Sequence, residues 1–243
     1  RPSELLLHLP LRGLPRADAQ ALLASAGGVA PDDPDVTPHL AALCAALDDH
    51  PLALSLAGAL IQTGAVRLPT LAASAAGQAD APTALNRACR LSLEALSGVE
   101  RRALAALVVG DPDLATDALA AISDMPEGDL MAPLERLTAL RLITYGGDRA
   151  AISTPSLRQE LARLLQPAAE RKRAAAFFVA AAAARTLTPE WVAREAQNLL
   201  AAAQTADAAA TPGQIGPLAR ALHPHAVLHG QWSAWQRLAD LAL

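Results

Sequence analysis

The stretch that most restricts the fold is 97–153, which opens on Ser97-Gly98-Val99-Glu100. In an S-x-x-E sequence the serine side chain accepts a hydrogen bond from an unpaired helix amide, and the glutamate reaches back to the serine amide, so a helix starts here. Apolar spacing predicts helices over 101–109, 114–122 and 130–140. Two β-prone runs, 142–145 and 150–153, then flank Gly146-Gly147-Asp148, a hairpin-turn signal. Three helices followed by a β-hairpin is the order of a winged helix.

The flanking segments read as helical. Residues 5–14 are short, apolar and bounded by Pro and Gly, which predicts a buried strand running into a turn. Helices are predicted over 15–25, closed by Gly27 and Gly28, and up to Leu47 after the Pro- and Asp-rich loop 30–38. From 51 to 62 the sequence is apolar on every side, the mark of a buried helix. Pro69, Gly77 and Pro82 make 68–82 a connection, and 85–96 is helical again. Beyond Pro155, helices are predicted to 165, over 167–185, 189–203 and 215–228, and from Ser233, with 204–213 as a loop. Paired helices of this kind read as the opening units of a helical-repeat array. The expected architecture is mainly α, in three parts: a helical domain at 1–82, a winged-helix domain with a short β-hairpin at 83–166, and a TPR-like helical repeat segment at 167–243.

The composition agrees with close-packed helices: 52% of residues are hydrophobic but only 2% aromatic, so Leu, Ala and Val must fill the core. A net charge of −4 supplies no general attraction to phosphate backbones or anionic lipid. The apolar run 174–184 is shorter than the roughly 20 residues a spanning helix needs. Two cysteines, Cys44 and Cys89, are too few for a disulfide framework, and no signal sequence is read, so a cytoplasmic setting is expected. Lys172 is the only lysine and sits in AERKRAAA, which is no phosphate-binding loop. The chain is therefore not expected to be a self-sufficient P-loop NTPase, and no Ser/His/Asp or Cys/His set carries a recognisable nucleophile motif.

Against this background, Asp49-His50-Pro51-Leu52-Ala53-Leu54 resembles the GLPLAL motif of NB-ARC-type STAND NTPases, found in bacterial regulators, plant resistance proteins and apoptotic adaptors. SLEALSGVERRAL (92–104) resembles the start of that family's winged-helix domain, and PLERLTALRLI (133–143) its third helix and first wing strand. AREAQNLLAAAQTA (193–206) and HGQWSAWQRLADLAL (229–243) look like the first helical repeats of bacterial members. The resemblance runs through nearly the whole chain in order, without the family's phosphate-binding loop and Mg²⁺-binding acid. It implies the regulatory arm of a signalling ATPase of the kind used in bacterial defence. Such an arm would bind ATP or ADP with Mg²⁺ only together with a nucleotide-binding domain in cis or trans, and would pass nucleotide state and trigger sensing to homo-oligomerisation. By the same resemblance Pro51 and Leu52 face adenine. Pro155 and Ser156 stand where the family carries a His-Asp pair that senses the diphosphate, a departure that counts against direct phosphate sensing.

Residue chemistry also supports plainer readings. Proline is favoured at a helix's first position, with Asp49 or His50 as cap, so Pro51 needs no ligand. A nucleotide-independent helical adaptor binding a protein partner through its winged-helix and repeat surfaces is the alternative. DNA binding is disfavoured, because MPEGDLMAPLERLTALR sets Glu127, Asp129 and Glu135 against Arg136 and Arg141. His225 and His229 have the i, i+4 spacing of a metal pair but no third ligand nearby, and Asp32, Asp33 and Asp35 lack calcium-loop spacing. Arg171-Lys172-Arg173 reads as a solvated helix turn, and Trp232 and Trp235 as packing between repeats.

Overall fold

The computed structural model describes residues 13–78, 80–184, 187–208 and 215–229, of which 206–208, 215 and 224–229 by backbone only. It is mainly α-helical, with one small antiparallel sheet. Among the described residues no helix is long and apolar enough to cross a membrane. The chain divides into two compact units, 1–95 and 96–243.

The first unit holds α1 (Arg16–Gly27), α2 (Thr37–Ala46), α3 (Pro51–Gln62), α4 (Leu68–Gly77) and α5 (Ala84–Glu94). The helix apolar on every side, α3, buries seven residues from Ala53 to Leu60, packed by α1 and α5. α1 ends at Gly28, whose φ of 65° is left-handed and whose N–H closes the helix on Ser25 and Ala24. The stretch 68–82 is not the plain connection its breakers imply. Pro69 falls in the first turn of α4, where its missing N–H costs nothing, and Gly77 is its last residue. Between them Leu68, Leu71, Ala72 and Ala75 recur at helical spacing and are buried, with α4 packed on α2 and α5.

The second unit begins with α6 (Gly98–Val109), then β1 (Leu114–Ala115), α7 (Thr116–Ser123), a 3-10 turn at Glu127–Asp129, α8 (Met131–Ala139), β2 (Ile143–Gly146), β3 (Arg149–Ile152) and α9 (Pro155–Leu165). The sheet order is β1-β3-β2, with Leu114 opposite Ala150 and Ile143 opposite Ile152. This is the winged helix expected from the sequence, with one change: the helix predicted over 114–122 starts two residues late, because Leu114 and Ala115 pair with the wing. Two residues carry no periodicity, so only the tertiary pairing defines that strand.

α10 (Ala168–Ala183), α11 (Pro189–Ala208) and α12 (Ile215–His229) pack on one another, and α10 also lies on α6 and α7. The loop predicted over 204–213 is helical as far as Ala208, since an Ala- and Gln-rich run has no residue to stop a helix. Phe178 is the one aromatic among the largest fully buried side chains, and otherwise leucine fills the core. The strand predicted over 5–14, except for its last two residues, the helix from Ser233, Trp232 and Trp235 lie outside the described residues, as do the side chains of His225 and His229.

Candidate functional site

Between α2 and α3 the chain reverses in four residues. Asp48 and Asp49 both adopt left-handed backbone, φ 51° and 52°, a conformation uncommon for single non-glycine residues and rarer for two in succession. Their side chains are anchored from elsewhere in the unit. Arg87 of α5 pairs with the Asp48 carboxylate, and Arg16 of α1 lies 3.1 Å from Asp49 Oδ2. The Asp49 N–H donates to the Cys44 carbonyl and its own carbonyl accepts from Leu14 N–H, both at 3.0 Å. Gly13 crosses so close to the turn that a Cβ there would sit 2.4 Å from the Asp48 carbonyl oxygen.

The turn delivers His50 as the N-cap of α3. His50 Nδ1 accepts from the Ala53 amide at 3.3 Å, which places a neutral ring's proton on Nε2. Of the two caps the sequence allowed, the structure uses His50. Pro51 is then the first helical residue and is exposed, while Leu52 is half-buried.

Pro155 and Ser156 belong to the other unit, where they form the first turn of α9 behind Thr154, whose Oγ1 accepts from Leu157 N–H at 3.2 Å. Both are exposed, and Pro155 lines a groove of about 670 Å³ together with Val108, Pro112, Ile152 and Arg158. Arg158 is the cation nearest in sequence to the sensor-pair positions, but it is engaged: Nη1 donates to Asp111 Oδ1 at 2.8 Å and Nη2 to the Pro112 carbonyl. These residues do not fit phosphate sensing. No group of three His, Cys, Asp or Glu among the described residues could hold a metal ion.

Sequence reasoning missed a buried polar cluster in the second unit. Arg149 of β3 donates from Nε and Nη2 to Asp113 Oδ1 at 2.8 and 2.5 Å, and its Nη1 lies 2.6 Å from Glu195 Oε1 of α11. Asn198, one turn on, donates from Nδ2 to Glu195 Oε2 (2.7 Å) and to the Asp113 carbonyl (3.0 Å), and accepts from Asp111 N–H (2.7 Å). Glu195 and Asn198 are each only 2% exposed. Burial, the largest single influence on Arg149, opposes its charge, but hydrogen bonds and charge from Asp113 and Glu195 outweigh it and raise its pKa. The cluster ties the wing and the loop before β1 to α11. Its members come from three separate parts of the chain, Asp113 and Asn198 being 85 positions apart, and no local pattern announces them.

The other singled-out groups take plain roles. Asp33 Oδ1 accepts from Asp35 N–H at 2.9 Å, closing the acidic turn on itself. Arg173 donates to the Ile122 carbonyl and to Glu170, so only part of the basic turn is left to solvent. Cys44 and Cys89 are buried and not joined in a disulfide. α8 exposes Met131, Ala132, Glu135, Thr138 and Ala139, with Arg136 half-buried beside Glu135 and Arg141 exposed just beyond the helix, so acid and base are mixed on this surface. Comparison of the sequence with protein-family models and with curated proteins found no match.

Proposed function

We propose that this chain is the regulatory arm of a STAND-type signalling ATPase, in which the turn at 48–51 contacts the base of a nucleotide held by a P-loop domain in cis or trans. The winged-helix unit then passes the nucleotide state to α11 through the Arg149 cluster, toward oligomerisation. The observation that carries the reading is the turn itself. Two consecutive left-handed aspartates, each held by an arginine from a different helix, are more constraint than starting a helix requires. Stored backbone strain of this kind concentrates at ligand-contacting positions. A nucleotide that binds one arrangement of the arm better than another shifts the population by that difference in affinity.

The test is ADP binding by the chain together with its nucleotide-binding domain. Pro51→Ala removes most of the apolar ring surface and is expected to weaken ADP binding roughly tenfold. Unchanged affinity would remove Pro51 from any nucleotide contact and with it this reading.

The second reading, a nucleotide-independent adaptor for a protein partner, is favoured by Pro155 and Ser156 at the sensor positions and by an Arg158 already spent on Asp111. It expects a partner to bind with equal affinity whether or not ADP is present, which a pull-down at two ADP concentrations distinguishes.

A further inference from the structure

The second unit contains two adjoining hollows. Beside the 670 Å³ groove lies a chamber of about 320 Å³, lined by Leu114, Ile122, Ala174, Phe178 and Ala202 among others. Leu114, Ile122 and Phe178 are core residues, none more than 2% exposed, so they close the chamber from behind, and its open apolar surface comes from the half-buried Val109 and Ala201. Val109, Gly110, Arg171 and Ala201 line both hollows and mark where they join. A largely apolar cavity of this size with a few polar groups at its mouth is the usual form of a small-molecule site.

The charge at that mouth is specific. Arg158 is taken by Asp111 and Pro112, and Arg173, two residues beyond Arg171, by Glu170 and Ile122. The Arg171 guanidinium makes no hydrogen bond or ion pair to a described residue. Asn198 also lines the chamber, but both ends of its amide are engaged by Asp111, Asp113 and Glu195. Arg171 is thus the one uncommitted charge among the described residues of the chamber's lining, and those described residues include no acid.

We propose that this cavity binds a small monocarboxylate with an apolar tail, its carboxylate on Arg171 and its tail along Val109 and Ala201. A guanidinium matches a carboxylate in shape, with two parallel N–H donors. One cation balances one negative charge. A phosphate dianion would leave charge uncompensated beside an apolar wall, which is costly. The inference does not rest on the nucleotide reading, since it concerns a different cavity and a different ligand.

The experiment titrates octanoate into the full chain by calorimetry while following the methyl resonances of Val109 and Ala201. Saturable binding that shifts those methyls is expected. Arg171→Gln should weaken it roughly tenfold or more, the value of a hydrogen-bonded charge, and octanol should bind correspondingly weakly. Lys172→Gln should leave binding unchanged, and Ala201→Phe, at the junction, should abolish it. Should Ala201→Phe fail to fold, Arg171→Gln decides alone. The proposal is overturned by no saturable binding at millimolar octanoate, by octanoate binding that Arg171→Gln leaves intact, or by octyl phosphate binding more tightly than octanoate.

Discussion

Gly58 sits where α3 crosses α1, and an added Cβ would lie 2.4 Å from Ala26 Cβ and 2.9 Å from its carbonyl carbon. The neighbour is backbone and cannot turn away, so Gly58→Ala is expected to destabilise the first unit by about 1–3 kcal/mol in urea denaturation. Gly77 closes α4 with nothing within 4 Å of the same position. Gly77→Ala should therefore add about 0.4–1 kcal/mol by restricting the unfolded chain. Cys44 shows how burial sets chemistry at a single residue. It is fully enclosed, and desolvation, then the Asp49 charge, push its thiol from 9.0 up to about 11. The folded chain keeps this proton where the unfolded chain loses it, so Cys44 adds no pH dependence to stability below pH 9 and lowers stability as pH rises from 9 toward 11. Cys44→Ala should show a lower stability at pH 7 but a flatter decline across that window, and the native thiol should resist alkylation at pH 7.

At the scale of the element, the sequence is most legible where a local interaction makes the boundary. Ser97 Oγ accepts from Glu100 N–H at 3.3 Å and Glu100 Oε2 accepts from Ser97 N–H at 2.7 Å, the reciprocal pair the motif predicts at the start of α6. Ser97→Ala is expected to cost about 1 kcal/mol in the same denaturation measurement. Pro51 and Pro155 likewise mark helix starts in sequence and in structure, and Gly147, with φ 67°, turns the wing. Legibility fails where the deciding contact is distant. The apolar positions of α4 were visible, yet its proline and glycine read as breakers until burial on α2 and α5 fixed them at the two ends of a helix. β1 owes its existence to β3, 34 positions away at Ala115↔Arg149.

Across the whole molecule, the helix starts at Pro51 and Pro155 could be read in advance, while the forces that hold their surroundings could not. The arginines that lock the 48–51 turn come from α1 and α5, and the cluster around Arg149 joins residues of β3, the loop before β1 and α11. Spacing along the chain carries no record of such meetings. The cluster is also where an ion pair has structural weight. Asp80 and Arg90 form an exposed pair, 73% and 36% accessible, and pairs of that kind contribute less than about 1 kcal/mol. Glu195 is 2% exposed, and Arg149→Met would leave its charge buried with only the Asn198 amide to meet it. That imbalance is expected to cost the second unit about 3–5 kcal/mol. Replacing both charges, as Arg149→Met with Glu195→Leu, removes the buried charge together with its partner, so the double variant should lose less than the sum of the single changes. Hydrogen exchange locates the effect: amide protection should fall in α11 and in the loop at 110–113, where Asn198 holds Asp111 N–H, while α1 to α5 keep theirs. Additive losses, or protection lost evenly along the chain, would show that the cluster does not fasten the wing to α11.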